Sequence, residues 1–172
     1  MIKLSKSSIG EEEKKAVVKV LDGEYLGMGE KVASFENQLS NFFGRQVVAV
    51  SSGTAALQLA LESCRFEAGS EVIVPSLTYV ASFQAISAAR LKPIACEVDD
   101  TFFTLDFNDA GKKLTAKTKA IMPVHYSGGV GNLDNIYKFA DKHKLRVVED
   151  AAHAFGTRYN DKVVGGFGDI AC

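Results

Sequence analysis

The sequence predicts an α/β protein in which a mostly parallel sheet is covered by helices. Segments with helical spacing of apolar residues alternate along the chain with short apolar runs, which is the pattern of such a sheet. The short runs are rich in β-branched residues, as expected of strands that are buried on both faces. The 172 residues, 47% of them hydrophobic and 24% charged, are enough for one sizeable core. We therefore expect one domain.

Two helices are expected in the amino-terminal part of the chain. From Glu11 to Leu21 the apolar residues fall on one stripe, and the acidic residues cluster in the first turn, where the helix dipole favours them. A second helix is predicted from Lys31 to Phe43, and Gly44 is expected to end it.

The strands of the sheet are predicted at five short apolar runs: Val47 to Val50, Val72 to Val74, Ile94 to Cys96, Ile121 to Val124 and Leu145 to Val148. Helices fit between most of them. Before the last run, apolar residues repeat at helical spacing from Leu133 to Ala140, and Asn132 can cap that helix. After it, Asn160-Asp161 is predicted to be the turn of a β-hairpin.

Composition and charge exclude several classes of function. A formal net charge of -1 with dispersed lysines offers no basic stripe for nucleic acid. The three cysteines, Cys64, Cys96 and Cys172, are far apart, so neither a disulfide framework nor a metal site is expected, and the cytoplasm is the expected compartment. The chain shows no apolar signal core and no membrane-length apolar run, which argues against secretion and membrane insertion.

An acidic residue closes the last predicted strand. The sequence Val148-Glu149-Asp150 runs from apolar residues directly into carboxylates, and His153 follows. Because an unpaired buried charge is costly, Asp150 must be either exposed or paired, and a protonated pyridine nitrogen is a fitting partner. A helix cap or surface carboxylate is the alternative for Asp150. A neutral His153 can donate a hydrogen bond to a ligand, or it can simply be packed.

A helix is predicted to begin with small residues at Gly53-Thr54-Ala55. A phosphate binds where backbone N–H groups are unobstructed and a helix dipole presents its positive end, and this turn offers both. The Thr54 hydroxyl adds a donor. The alternative is an ordinary helix cap, and the P-loop signature of a nucleoside triphosphate site is not present.

Tyr79 follows Thr78 at another turn from strand to helix, where ligands collect in open α/β sheets. Its ring can stack on a flat ligand, or it can be a core aromatic under the sheet. His125-Tyr126 ends a further strand at the same edge, with either a substrate contact or a structural role. A phosphate site, an aromatic platform and a buried acid together suggest pyridoxal phosphate.

These motifs and their order resemble the DegT/DnrJ/EryC1/StrS sugar aminotransferase family, of the aspartate aminotransferase superfamily with fold type I. The resemblance begins at Leu21-Asp22-Gly23, continues through Gly27-Met28-Gly29-Glu30 and Phe35-Glu36, and reaches the segment Gly165 to Cys172. It implies that residues 1–172 form part of a three-layer large domain with a mostly parallel central sheet, and that residues 1–45 form a helical arm.

The resemblance also implies roles for the candidate residues. Family members hold the cofactor phosphate on the backbone amides that match Gly53, Thr54 and Ala55. They stack an aromatic ring at the position of Tyr79 and pair the pyridine nitrogen with the residue that matches Asp150. Family members often carry glutamine where this chain has His153, and that glutamine touches the cofactor's ring oxygen.

One family residue has no counterpart in this chain. The lysine that binds the cofactor covalently follows shortly after the Gly-Phe-Gly-Asp segment, whereas the chain ends at Cys172. Lys142, Lys144 and Lys162 match no functional lysine of the family. We therefore expect the amino-terminal part of a longer enzyme, with most of the cofactor site but without activity on its own.

The reaction implied by the resemblance is transfer of an amino group from an amino acid such as glutamate to a nucleotide-linked keto sugar, in the synthesis of amino sugars for polysaccharides or glycosylated metabolites. One alternative is a pyridoxamine phosphate-dependent keto-sugar dehydratase of the same family, in which histidine replaces the lysine. Another is a non-catalytic regulatory or interaction protein. The superfamily also implies a homodimer, with Tyr25 to Gly29 suited to an arm near the interface.

Overall fold

The computed structural model describes residues 6–172, so the first five residues of the predicted arm lie outside it. The central sheet contains five parallel strands: β1 (Glu71–Pro75), β2 (Lys92–Cys96), β3 (Thr118–Ile121), β4 (Arg146–Glu149) and β7 (Ile170–Ala171). Their order across the sheet is β2-β1-β3-β4-β7. A separate antiparallel hairpin is formed by β5 (Arg158–Tyr159) and β6 (Lys162–Val163).

The helices in the described part of the chain are α1 (Glu11–Asp22), α2 (Glu30–Phe43), α3 (Gly53–Ser63), α4 (Val80–Ala88), α5 (Phe107–Lys113) and α6 (Leu133–His143). The predicted helices are confirmed. Gly44 ends α2 with a φ of 67°, and the Asn132 side chain caps α6 by accepting a hydrogen bond from the Asn135 amide. The hairpin turn at Asn160-Asp161 is also confirmed.

Two hydrophobic cores lie on opposite faces of the sheet. The α3–α4 core joins those two helices to the side chains of Val72, Val74 and Val148. The α5–α6 core joins the other two helices to Ile73 and Val147. Because successive side chains of a strand point to opposite faces, β1 and β4 each contribute to both cores. The predicted three-layer α/β architecture is confirmed.

Two of the predicted strands differ in the structure. Val47 to Val50 forms no strand, because side chains of α2 take its backbone donors: Ser40 Oγ accepts from the Val47 amide at 3.0 Å, and Glu36 accepts from the Ala49 amide at 2.8 Å. The strand predicted at Ile121 to Val124 is shifted towards the amino terminus as β3. Pro123 has no N–H for the ladder, and Val124 forms only an isolated bridge with Asp150.

Candidate active site

Three predicted site segments share one edge of the sheet. All five strands run in the same direction, so their carboxyl ends meet at this edge, where Asp150 follows β4 and Tyr79 follows β1. The helix α3 precedes β1 and runs towards the start of that strand, which places its own first residue, Gly53, at the carboxyl edge as well. Open α/β sheets bind their ligands at this edge.

Asp150 is buried, with 7% of its surface exposed. Its amide donates to the Pro123 carbonyl at 2.9 Å, and its carbonyl accepts from the His125 amide at 3.0 Å, so the backbone is fixed against the segment after β3. Its carboxylate accepts from Ser82 Oγ at 2.7 Å through Oδ2 and from the Ala152 amide at 3.3 Å through Oδ1.

No Lys, Arg or His of residues 6–172 forms an ion pair with Asp150. The alternative of a surface carboxylate does not apply, since the side chain is buried. A buried charge with neutral donors alone is costly, and a cationic N–H from a ligand would lower this cost. The carboxylate therefore fits the protonated nitrogen of a pyridine ring.

Ser82 and Thr78 are hydrogen-bonded to the candidate residue Asp150, directly and in sequence, and the sequence analysis missed both. Ser82 lies in the first turn of α4 and is fully buried, and Thr78 Oγ1 lies 2.6 Å from its hydroxyl. The available signal was a pair of hydroxyl residues four positions apart on either side of Tyr79. That signal identifies no partner, because Asp150 is far away in sequence.

The start of α3 leaves two backbone donors available. Ser52 caps the helix and its Oγ accepts from the Ala55 amide at 3.2 Å, so this third predicted donor is already engaged. The amides of Gly53 and Thr54 have no hydrogen-bond partner within residues 6–172. A Cβ added at Gly53 would meet no atom within 4 Å, so the space beside the Cα of Gly53 is open. The arrangement fits a phosphate group.

Tyr79 is the residue before α4 and is 76% exposed, so it is not a core aromatic. Its exposed ring is available to stack on a flat ligand. His153 is also exposed, and its Nδ1 accepts from the Ser127 amide at 3.4 Å. Because Nδ1 is the acceptor, the proton of the neutral ring is assigned to Nε2, which is then the donor available to a ligand.

His125 belongs to a buried network on the other face of the sheet. Its Nε2 lies 2.7 Å from Glu149 Oε2, and the Tyr137 hydroxyl donates to the other oxygen of Glu149. Burial and the nearby Glu149 charge raise the pKa of Tyr137, so this phenol stays protonated as a donor. His125 thus has a structural role in this network, whereas Tyr126 remains partly exposed at the edge.

The three lysines that match no functional lysine of the family lie apart from the Asp150 carboxylate. Lys142 and Lys144 are at the end of α6, next to the start of β4 and so at the opposite edge of the sheet, and Lys162 is in β6. The residue beside Asp150 at the end of β7 is Cys172. Burial and the Asp150 charge raise the pKa of the Cys172 thiol to about 12, so it is neutral at physiological pH.

The part of the chain that the structure describes, residues 6–172, contains neither a metal cluster nor a helix that could cross a membrane. No three His, Cys, Asp or Glu side chains come together there as a metal site. No helix in the same range is both long enough and apolar enough to cross a membrane.

The model of the DegT/DnrJ/EryC1/StrS aminotransferase family matches residues 7–172. GDP-perosamine synthase from Escherichia coli O157:H7 is 40% identical to the chain over 166 residues, which are 95% of this chain and 46% of that protein. The crystal structure of DesV from S. venezuelae has a TM-score of 0.86 and 38% identity, covering 93% of this chain and 43% of DesV.

A third similar protein is the GDP-4-keto-6-deoxy-D-mannose-3-dehydratase of E. coli, solved with bound hydrated PLP. It has a TM-score of 0.85 and 30% identity, and the match covers 96% of this chain and 45% of the dehydratase. The chain thus spans less than half the length of these relatives. The extent of the family match, from residue 7 to residue 172, establishes that the chain belongs to the DegT/DnrJ/EryC1/StrS aminotransferase family.

Proposed function

We propose that this chain carries the pyridoxal phosphate site of an enzyme that transfers an amino group from an amino acid such as glutamate to a nucleotide-linked keto sugar. The proposal rests on the surroundings of Asp150. Its carboxylate is buried and, in the described residues, accepts hydrogen bonds only from neutral donors. It lies at the same edge of the sheet as two free amides, at Gly53 and Thr54, and an exposed aromatic ring, at Tyr79.

Four residues at this edge would contact the phosphate or the ring of the cofactor. The Gly53 and Thr54 amides would hold the phosphate, supported by the dipole of α3. The Tyr79 ring would lie against one face of the pyridine and exclude water from it. His153 would donate from Nε2 to the ring oxygen.

Asp150 would keep the proton on the pyridine nitrogen. Charge-assisted hydrogen bonds are stronger than neutral ones, and burial shields this pair from water. When bound, the cofactor supplies a protonated ring that accepts the electrons released as the Cα–H bond of the substrate breaks. Asp150 contributes to that step by holding the nitrogen positively charged.

The substrate class rests on the relatives. GDP-perosamine synthase and GDP-4-keto-6-deoxy-D-mannose-3-dehydratase are both named for sugars attached to a nucleoside diphosphate. We therefore assign a nucleotide-linked keto sugar as the amino acceptor. The free cysteines support a cytoplasmic location.

A homodimer is part of the same proposal. Tyr25, Leu26 and Met28 are 65%, 70% and 71% exposed, so the segment after α1 presents apolar side chains to its surroundings. Large exposed apolar groups commonly mark contact surfaces. We assign this segment to contact with a second copy of the chain.

The dehydratase is the second candidate, and its structural similarity to this chain is the observation that favours it. An incubation with glutamate that carries heavy nitrogen distinguishes the two reactions. The mixture contains the protein as its gene encodes it and a set of nucleotide-linked keto sugars. We expect the label in an amino sugar, detected by mass spectrometry. A deoxy keto sugar without label would instead establish dehydration, and no product from any sugar would oppose both.

A further inference from the structure

We propose that Ser82 is a positioning residue which, together with Thr78, fixes the Asp150 carboxylate so that Oδ1 faces the ring nitrogen of the ligand. We use the name hydroxyl relay for the hydrogen-bonded group of Thr78, Ser82 and Asp150. The inference rests on the proposed function, because it concerns the same nitrogen-binding carboxylate.

The direction of each hydrogen bond in the hydroxyl relay follows from the number of available protons. An ionised carboxylate only accepts, so Ser82 Oγ donates its single proton to Asp150 Oδ2, at 2.7 Å. Ser82 then has no proton left for Thr78. The Thr78 hydroxyl, 2.6 Å away, must therefore donate to Ser82 Oγ.

Burial gives the hydroxyl relay its effect on Asp150. Ser82 is 0% exposed, so water cannot replace its hydrogen bond. Oδ2 is therefore held on the side of α4, whereas the donor to Oδ1 among residues 6–172 is the Ala152 amide, at 3.3 Å. The carboxylate is locked about its Cβ–Cγ bond, and Oδ1, whose hydrogen bond is the longer of the two, is the oxygen that we assign to a cationic donor.

The hydroxyl relay also connects the acid to the aromatic platform. Tyr79 lies in the turn between Thr78 and Ser82, and Ser82 anchors this turn to Asp150, which directly follows β4. Movement of this turn relative to β4 would break the short hydrogen bond from Ser82 to Asp150. The relay therefore keeps the backbone of Tyr79 in a constant position relative to the carboxylate that binds the ring nitrogen.

The test measures how strongly the protein prefers a ligand with a ring nitrogen. The probes are pyridoxine 5'-phosphate, which has no aldehyde and cannot bond to a lysine, and its analogue with the ring nitrogen replaced by carbon. Calorimetry gives both dissociation constants. We expect the natural protein to prefer the nitrogen-containing probe and Ser82→Ala to reduce that preference about tenfold, because a hydrogen bond to a charged group is lost.

Two other variants complete the experiment. Thr78→Val should reduce the preference in the same direction by about threefold, since it removes only the outer donor. Ser87→Ala is the matched control, because this exposed serine of α4 donates to the Phe83 carbonyl and does not contact the relay. It should leave the preference unchanged.

The outcomes separate the two proposals. An unchanged preference in a folded Ser82→Ala protein would overturn the role of Ser82 while leaving the Asp150 site intact. If Ser82→Ala does not fold, an unchanged preference in Thr78→Val would overturn the relay. Equal binding of both probes by the natural protein, or binding of neither, would overturn the proposed function and the relay with it.

Discussion

Asp150 and Glu149 are adjacent carboxylates whose surroundings differ completely. Side chains alternate across β4, so Glu149 faces α6 and is bound by His125 and Tyr137, whereas Asp150 faces α4 and is bound by Ser82. The sequence analysis named Asp150 as the candidate, to be either exposed or paired, and assigned no role to Glu149. The alternation in the structure leaves Asp150 as the carboxylate with capacity for a ligand.

Asp150→Asn should keep the fold and lose most of its affinity for pyridoxal phosphate. Asparagine has the same shape and can still accept from Ser82, but it cannot pair with a cationic nitrogen. We expect binding to weaken at least about tenfold, measured by the change in cofactor absorbance. Glu149→Gln is the control and should lower stability with little change in affinity, since it disturbs only the network on the other face. Equal affinity in Asp150→Asn and the natural protein would remove Asp150 from its proposed role.

The segment from Gly165 to Asp169 is fixed by two arginines from distant elements. The Arg45 guanidinium donates to the carbonyls of Gly165, Phe167 and Asp169 at 3.4, 3.1 and 2.7 Å. The Asp169 carboxylate accepts two hydrogen bonds from Arg146, at 2.5 and 2.6 Å. These contacts hold β7 beside β4. In the sequence analysis the Gly-Phe-Gly-Asp motif served only to indicate the family, whereas in the structure it has a physical role in the sheet.

Gly168 should tolerate no side chain. Its φ is +82°, and a Cβ there would collide with the Tyr137 hydroxyl. Gly69 is the matched control, because its φ of +81° is the same but its Cβ would meet nothing within 4 Å. In urea unfolding we expect Gly69→Ala to cost about 1–2 kcal/mol and Gly168→Ala about 3 kcal/mol or more. Equal costs at the two positions would contradict the collision.

Asp169 should stabilise the protein in a pH-dependent manner. The hydrogen bonds from Arg146 hold the pKa of Asp169 below its usual value, although partial burial opposes this. A lowered pKa in the folded state gives stability that is present above the unfolded pKa of about 3.9 and is lost as the pH falls through the folded pKa. Asp169→Asn should therefore cost about 1 kcal/mol at neutral pH, a value reduced by solvent screening of this partly exposed pair.

Urea unfolding at pH 7 and near pH 3 tests this dependence. The difference between Asp169→Asn and the natural protein should shrink at the lower pH. Asp141→Asn, at an exposed position of α6, is the control and should have little effect at pH 7. A cost for Asp169→Asn that is the same at both pH values would show that the ion pair is not its source.

The sequence predicted the layers of the molecule better than its connections. Alternating patterns are enough to identify helices and buried runs, but length and composition predicted one core, whereas the structure has two because helices pack on both faces of the sheet. Pairing between strands depends on the neighbouring segments. Val47 to Val50 has a strand pattern, but its backbone N–H groups donate to side chains of α2. The strand β7 has two residues and is too short to show a pattern. Ser82 was missed because its contact with Asp150 exists only once α4 is packed on the sheet.

Exposed apolar residues predict that the chain associates with itself. In the described residues α1 and α2 contribute no buried side chain, and Val17, Leu26 and Met28 are 59%, 70% and 71% exposed. We expect light scattering of the protein as its gene encodes it, at micromolar concentration, to give about twice the mass of one chain. Replacing Leu26 and Met28 together by serine should shift the mass towards that of one chain. A natural protein of single-chain mass would contradict this assembly.

A crystal structure with pyridoxal phosphate tests the central assignment most directly. The structure should show the pyridine nitrogen within about 2.9 Å of Asp150 Oδ1, the phosphate at the amides of Gly53 and Thr54, and the Tyr79 ring against one face of the pyridine. A cofactor bound with its ring nitrogen away from Asp150, or its phosphate away from the start of α3, would contradict the assignment.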